Sequence, residues 1–154
     1  GLMSLYLVQH GKSLPKDQDP EKGLSEEGIE EVQHIAQVAR TYHIQVAKIE
    51  HSGKKRAKQT AEILSSALRP PQGTSEREGI GPMDDVASVA QGLKDEDLML
   101  VGHLPFMESL AAYLVTGSTE KPIFKFQNGG IVALTINPDT QAWIIKWALM
   151  PHIY

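Results

Sequence analysis

The sequence has no cysteine among its 154 residues. This absence excludes disulfide bonds, thiolate metal sites and a cysteine nucleophile. It also has no apolar run approaching the roughly 20 residues that cross a bilayer. No basic stretch followed by a long apolar segment marks a signal peptide at the N-terminus. We therefore expect a cytoplasmic protein that does not enter a membrane.

Positive charge is scarce as well. Lysine and arginine number 15 against 19 aspartates and glutamates, so the formal net charge is -4. A protein that binds nucleic acid through its phosphates needs an excess of positive charge, so we expect no nucleic-acid partner. Any site for an anion must be a local concentration of positive charge.

The remaining composition is typical of a globular protein, with 41% hydrophobic and 22% charged residues. A chain of this length suits one compact domain that buries roughly two-thirds of its unfolded surface. We see no linker, repeat or low-complexity segment and predict a single domain over residues 1–154. Gly1 stands where no initiator methionine is found, and we interpret it as a residue left from cloning. The sequence does not specify the oligomeric state, although we slightly favour a monomer.

Strand and helix patterns alternate over the first 115 residues. Short apolar runs bounded by glycine predict strands buried on both faces, and apolar residues at spacings of three and four predict helices. Ser25 is a suitable N-cap for the first of these helices. The predicted strands are 5–8, a weaker one at 46–50, a short one near 77–80, and 98–101. The predicted helices are 26–42, 55–68, 85–93 and 105–114.

The C-terminal part of the sequence has strand patterns without intervening helix patterns. Residues 123–126, 131–136 and 143–149 have strand-like patterns, separated by Asn128-Gly129-Gly130 and Asn137-Pro138-Asp139, which are typical of hairpins. Alternating strands and helices followed by hairpins predict an α/β fold. We expect a three-layer α/β/α sandwich with a mostly parallel central sheet and an antiparallel edge near the C-terminus.

Two histidines follow buried strands in the same way. His10 comes two residues after Val8, and His103 comes two residues after Val101. In an open α/β sheet, ligands bind at the carboxyl ends of the strands. If the two strands are neighbours, both imidazoles lie in one pocket.

The third notable segment, residues 51–60, also follows a strand and enters a helix. A helix N-terminus favours anions through its free N–H groups and its dipole. Arg56 adds a planar guanidinium that matches two phosphate oxygens. We interpret Arg56 as a phosphate ligand and the neighbouring lysines as solvated.

Three motifs together resemble the histidine phosphatase superfamily, in particular its SixA-type phosphohistidine phosphatase branch. They are Gln9-His10-Gly11-Lys12-Ser13, the segment Ser52–Thr60, and Gly102-His103-Leu104-Pro105. Leu24-Ser25-x-x-Gly28 also fits the start of that family's first helix. The resemblance covers Leu5 to about Met150 and implies a phosphoglycerate mutase-like fold.

The resemblance implies a metal-independent hydrolase that needs no cofactor. His10 would attack phosphorus and carry the phosphoryl group as phosphohistidine. Arg56 and a protonated His103 would stabilise charge on the phosphoryl oxygens, assisted by Ser13. The substrate would be a protein that carries phosphohistidine, or a small phosphomonoester.

The sequence departs from the family at Gln9, where the family has arginine as a phosphate ligand. Glutamine carries no charge, so Gln9 can bind the phosphoryl group only weakly. Lys12 either compensates in part or points to solvent. An alternative function is therefore a weakly active or non-catalytic module that binds phosphoryl groups.

Two further assignments stay open at this stage. Asp84 and Asp85 are candidates for the acid that protonates the leaving group, although one of them suits a helix cap equally well. A metal hydrolase built on His10, His51 and His103 is a rival hypothesis. It lacks a motif such as His-Glu-x-x-His, and the nearby Arg56 would repel a cation.

Overall fold

The structure, a computed structural model, describes residues 3–153, so Gly1 and its interpretation lie outside the described residues. A six-stranded sheet forms its centre, with the strand order β3-β2-β4-β1-β5-β6. The strands are β1 (Leu5–Gln9), β2 (Lys48–His51), β3 (Thr74–Glu76), β4 (Leu98–Gly102), β5 (Ile131–Ile136) and β6 (Trp143–Leu149). The helices are α1 (Glu26–Thr41), α2 (Lys55–Leu68), α3 (Val86–Ala90) and α4 (Phe106–Thr116).

The first four strands are parallel, whereas β5 runs antiparallel to β1 and β6 antiparallel to β5. Helices cover both faces of this sheet. Side chains of a strand alternate between the faces, so Tyr6 and Val8 pack with α1 and α2, while Leu5 and Leu7 pack with α3 and α4. The predicted three-layer fold with an antiparallel edge is confirmed.

The start of α1 follows from its sequence. The Ser25 hydroxyl accepts a hydrogen bond from the backbone N–H of Gly28 at 3.0 Å, as predicted for an N-cap. Glu26 and Glu27 in the first turn favour the positive end of the helix dipole. Within residues 3–153, no helix is both long and apolar enough to cross a membrane.

Two predicted strands are wrong. The short strand near 77–80 lies instead at Thr74–Glu76, because it pairs with β2, and β2 ends at His51 opposite Glu76. Residues 123–126 form no strand. Phe126 is buried there, with the ring of Phe124 packed edge-on against it, so this apolar segment fills the core beside α3 and α4 without joining the sheet.

The hairpin predicted at 128–130 is also wrong, because no strand precedes that turn. The second predicted hairpin, around 137–139, does connect β5 to β6. The predicted third helix, 85–93, is shorter in the structure and spans Val86–Ala90.

Candidate active site

The parallel pairing of β1 and β4 brings the two strand-end histidines together. Gln9 lies opposite Gly102 in this register, and the backbone N–H of His10 donates to the Gly102 carbonyl at 2.9 Å. The ring centroids of His10 and His103 are 5.1 Å apart, with their planes inclined at 56°. The convergence predicted from the sequence is therefore observed.

The His10 ring has a defined tautomer. Its Nδ1 lies 2.6 Å from the carbonyl oxygen of Gly11. Because a carbonyl only accepts hydrogen bonds, we place the hydrogen on Nδ1, and this leaves a lone pair on Nε2. Burial lowers the pKa of His10 to about 4; the Gly11 contact opposes this, and the charges of Arg56 and Lys22 add to it. His10 is neutral at pH 7.

His103 is almost completely buried, with 1% of its surface exposed. Its Nε2 lies 2.6 Å from the hydroxyl oxygen of Ser52, while its Nδ1 has no hydrogen-bond partner within residues 3–153. Burial lowers the pKa of His103 to about 3, assisted by His10 and by the positive charges around it. Its surroundings favour the neutral ring in the protein without a substrate, while the expected protonation of His103 beside a bound phosphoryl group stays a prediction.

The backbone around His10 is held from two sides. The N–H of Gly11 donates to the Thr60 hydroxyl at 3.0 Å, and that hydroxyl donates to the Arg56 carbonyl at 2.8 Å. On the other side, the Asn128 amide donates to the His10 carbonyl at 3.0 Å. Sequence reasoning missed the roles of Ser52, Thr60 and Asn128. The Asn-Gly-Gly signal was recognised, but it serves to hold His10 and not to make a hairpin.

Arg56 lies in the first turn of α2 and is partly exposed. No hydrogen bond or ion pair of its guanidinium is found in the part of the chain that the structure describes. Together with Ser52 and Lys54, it lines a cavity of about 580 Å³. An arginine with free donors at the edge of a cavity suits the binding of an anion.

The structure separates the other predicted phosphate ligands. Lys12 Nζ lies 2.8 Å from Glu27 and 3.6 Å from Glu31, so Lys12 is part of an ion pair on α1, which argues against compensation for Gln9. The amide oxygen of Gln9 is buried and lacks a hydrogen-bond partner within residues 3–153. Ser13 lies three residues after His10, in a β-bridge with Leu24.

The two candidate acids have different surroundings. Asp85 accepts a hydrogen bond from the Ser88 hydroxyl at 2.5 Å, which lowers the pKa of Asp85 and fits a role at the start of α3. Asp84 accepts from the N–H of Gly81 at 2.7 Å and lines the same cavity as Arg56. Glu76, which the sequence did not suggest, also lines this cavity. Asp84 therefore lies closer to the candidate site than its neighbour does.

The arrangement of residues 3–153 contains no group of three histidine or acidic side chains that could hold a metal ion. His51, the third ligand of the rival metal hypothesis, is buried, and its Nδ1 accepts a hydrogen bond from the N–H of Gly53 at 3.0 Å. The rival hypothesis therefore finds no ligand set in the described residues.

Comparison with known proteins agrees with this geometry. The sequence model of the histidine phosphatase superfamily (branch 1) matches residues 5–79, which include His10 and Arg56. The matched segment, just under half of the chain, is similar to the histidine phosphatase superfamily. This similarity supports a phosphatase activity. A search of curated protein sequences finds no match.

Solved structures share the fold of this protein over nearly the whole chain. The protein histidine phosphatase SixA in complex with tungstate has a TM-score of 0.81 and 24% identity, over 97% of both chains. A putative SixA from Agrobacterium tumefaciens has a TM-score of 0.77 and 22% identity, over 98% of this chain and 99% of that one. A mycobacterial glucosyl-3-phosphoglycerate phosphatase in complex with VO3 has a TM-score of 0.71 and 16% identity, over 96% and 99%. At these identities the likeness establishes a common fold.

Proposed function

We propose that the protein is a metal-independent phosphatase that forms a covalent phosphohistidine on His10. The observation that carries this proposal is the hydrogen bond of 2.6 Å between His10 Nδ1 and the Gly11 carbonyl, which leaves a neutral Nε2 as the nucleophile beside His103. A depressed pKa keeps this nucleophile unprotonated well below neutral pH. A protein that only binds phosphoryl groups has no need of such a nitrogen.

The reaction has two steps. In the first, Nε2 of His10 forms a bond to phosphorus while the bond from phosphorus to the leaving group breaks. In the second, the oxygen of a water molecule attacks phosphorus, the Nε2–phosphorus bond breaks, and inorganic phosphate leaves. Splitting the hydrolysis in this way replaces one difficult step by two easier ones.

Arg56 and His103 stabilise the charge on the phosphoryl oxygens. Arg56 offers donors that no protein group uses within residues 3–153. His103 is neutral in the protein by itself, but a nearby phosphoryl dianion favours the protonated ring and raises its pKa. We therefore propose that substrate binding is accompanied by the uptake of a proton at His103.

The leaving group takes up a proton as it departs. Asp84 is our candidate for the acid, because it lines the cavity beside Arg56 whereas Asp85 is engaged by Ser88. A phosphohistidine substrate needs no such acid, since its imidazole leaves readily once it is protonated. Loss of the Asp84 carboxyl should accordingly slow the hydrolysis of alkyl phosphates more than that of phosphohistidine.

We propose a protein that carries phosphohistidine as the substrate, with a small phosphomonoester as the alternative. The fold shared with SixA structures and the open cavity beside Arg56 support an extended phosphorylated side chain. One observation favours the second candidate function, a weakly active binding module: position 9 has an uncharged glutamine where the family has arginine.

A substrate panel with matched variants tests this proposal. Phosphohistidine peptide, phosphotyrosine peptide, para-nitrophenyl phosphate and common sugar phosphates are each incubated with the wild type, His10→Ala and His34→Ala. His34 is an exposed residue of α1 and serves as the control. We expect release of phosphate by the wild type and His34→Ala, insensitivity to a chelator, and no turnover by His10→Ala. Binding without turnover by the wild type would favour the binding module.

A further inference from the structure

The loop between β1 and α1 returns to the segment that follows His10. The backbone N–H of Leu14 donates to the Gly23 carbonyl at 2.8 Å, and Ser13 forms a β-bridge with Leu24. The N–H of Leu24 in turn donates to the side chain of Gln59 in α2 at 2.7 Å. Residues 22–24 are thus fixed between the segment after the nucleophile and the first turns of α2, which carry Arg56.

Lys22, in this fixed stretch, has an unusual backbone conformation. Its φ is 55°, in the left-handed region that few residues other than glycine adopt. Asp19 holds the turn in place: its carbonyl accepts from the N–H of Lys22, and its carboxylate accepts from the N–H of Gly23 and pairs with Lys55 at 2.8 Å. Backbone strain of this kind persists where the surrounding structure imposes it, and it is frequent at functional sites.

The ammonium group of Lys22 differs from those of Lys12 and Lys55, and resembles that of Lys54 beside Arg56, in having no carboxylate partner within residues 3–153. Lys12 and Lys55 each have a carboxylate partner at 2.8 Å. Within residues 3–153, no hydrogen bond or ion pair engages the side chain of Lys22. The backbone contacts of residues 22–24 place Lys22 beside the segment that follows His10, and its positive charge lowers the pKa values of both His10 and His103.

We propose that Lys22 is a phosphate ligand that supplies the positive charge missing at position 9. This inference rests on the proposed function, because it assigns a residue to the same phosphoryl site. An ammonium group carries three donors and a full charge, whereas Gln9 offers only a neutral amide. Lys22, in the loop after β1, would in this way supply the positive charge that Gln9 lacks at the end of β1.

Binding of orthovanadate, measured by calorimetry, tests the assignment. We compare the wild type with Lys22→Gln, Lys22→Arg and Lys16→Gln, the last being an exposed lysine of the same loop that undergoes the same loss of charge. A charge-assisted hydrogen bond typically accounts for about tenfold in affinity or more. We expect orthovanadate to bind Lys22→Gln about tenfold more weakly, with Lys22→Arg and Lys16→Gln close to the wild type.

A fourth variant, Arg56→Gln, separates failure of this inference from failure of the proposed function. If Arg56→Gln weakens orthovanadate binding and Lys22→Gln does not, Lys22 is no ligand and the phosphatase proposal stands. If neither variant weakens binding, the phosphoryl site itself is misplaced and both proposals fall. Equal losses in Lys22→Gln and Lys16→Gln would indicate a general effect of charge and would also overturn the inference. Lys22 lies on the surface of the loop, and circular dichroism verifies that each variant is folded.

Discussion

At the scale of single residues, the chemistry depends on how each imidazole is held. Both His10 and His103 lie at strand ends and both have strongly lowered pKa values. Their hydrogen bonds differ, however: His10 Nδ1 contacts a backbone carbonyl, whereas His103 contacts the Ser52 hydroxyl through Nε2. The first arrangement leaves Nε2 of His10 with a free lone pair, as the proposed nucleophile requires. The second leaves a ring that can respond to an arriving anion.

Gln9→Arg should raise the rate on generic substrates. A hydrogen bond to a charged group contributes about 1.5–3 kcal/mol and a neutral one about 0.5–1.5 kcal/mol. The difference, roughly 1–2 kcal/mol, corresponds to about 5–30-fold in rate. We expect kcat/KM for para-nitrophenyl phosphate to rise by this factor in Gln9→Arg.

Gln33→Arg is the control. It adds the same charge at an exposed position on α1, and we expect it to leave kcat/KM unchanged. If Gln9→Arg is equal to or slower than the wild type on both para-nitrophenyl phosphate and phosphohistidine peptide, position 9 does not contact the phosphoryl group. If Lys22 compensates as proposed, the gain from Gln9→Arg should be larger in a Lys22→Gln background.

The sequence located the two histidines because each is tied to its own strand, and strand ends can be recognised locally. It did not locate Lys22 or Ser52. Lys12 and Lys22 lie in the same polar loop and are equivalent by composition. What separates them is long-range: Glu27 on α1 captures Lys12, while contacts to α2 hold the backbone on either side of Lys22. No local pattern contains that information.

At the scale of elements, the position of His10 depends on how α1 packs against the loop after β1. A side chain at Gly28 would overlap the carbonyl oxygen of Lys12, two residues after His10. Gly11 has a similar restriction, since a Cβ there would lie 2.7 Å from Val32. These close approaches explain why glycine follows His10 and why it recurs in the first turn of α1.

Gly28→Ala should destabilise the protein. The added methyl group forces the backbone at Lys12 to shift, and overpacking of this kind typically costs about 1–3 kcal/mol. Gly92→Ala is the matched control, because no atom lies within 4 Å of a Cβ built there. Its free energy of unfolding should remain within about 0.5 kcal/mol of the wild type. Urea denaturation measures both, and equal stabilities would show that α1 does not pack against Lys12.

The sequence predicted those strands that the local hydrophobic pattern determines. It mispredicted segments whose structure depends on pairing with a distant strand. The buried strands around residues 5–8 and 98–101 read as continuous apolar runs because both faces are covered. Residues 123–126 are also rich in apolar side chains, but Lys125 interrupts them, and within the described residues the segment packs beside the sheet without pairing with a strand. The hydrophobic pattern indicates that a segment is buried, but it does not indicate which strand the segment pairs with.

At the scale of the whole molecule, an acidic protein holds a local cluster of positive charge. The net charge is -4, yet the charges of Arg56 and Lys22 act on both His10 and His103, and that of Lys54 acts on His103. Burial and these charges keep both rings neutral in the folded protein. Unfolding exposes the rings and returns their pKa values to about 6.5.

The folded state should therefore lose stability as the pH falls below about 6.5. Between that value and the folded pKa values of about 4 for His10 and about 3 for His103, the unfolded chain binds more protons than the native one. In that range each histidine lowers the free energy of unfolding by up to about 1.4 kcal/mol for each unit by which the pH falls. Urea midpoints at pH 7, 6 and 5 measure the slope. The slope of stability against pH should be smaller in His10→Gln than in the wild type and unchanged in His34→Gln. An equal slope in the wild type and both variants would show that His10 does not cause the loss of stability.

The formation of a phosphoenzyme on His10 is the most direct test of the account. The protein is incubated with a phosphoramidate donor and quenched in alkali, and the phosphorylated residue is identified by mass spectrometry and ³¹P NMR. We predict one phosphoryl group on Nε2 of His10, stable in base and lost in acid, present in His34→Ala and absent in His10→Ala. A phosphoryl group on another residue, or turnover that persists in His10→Ala, would contradict the account.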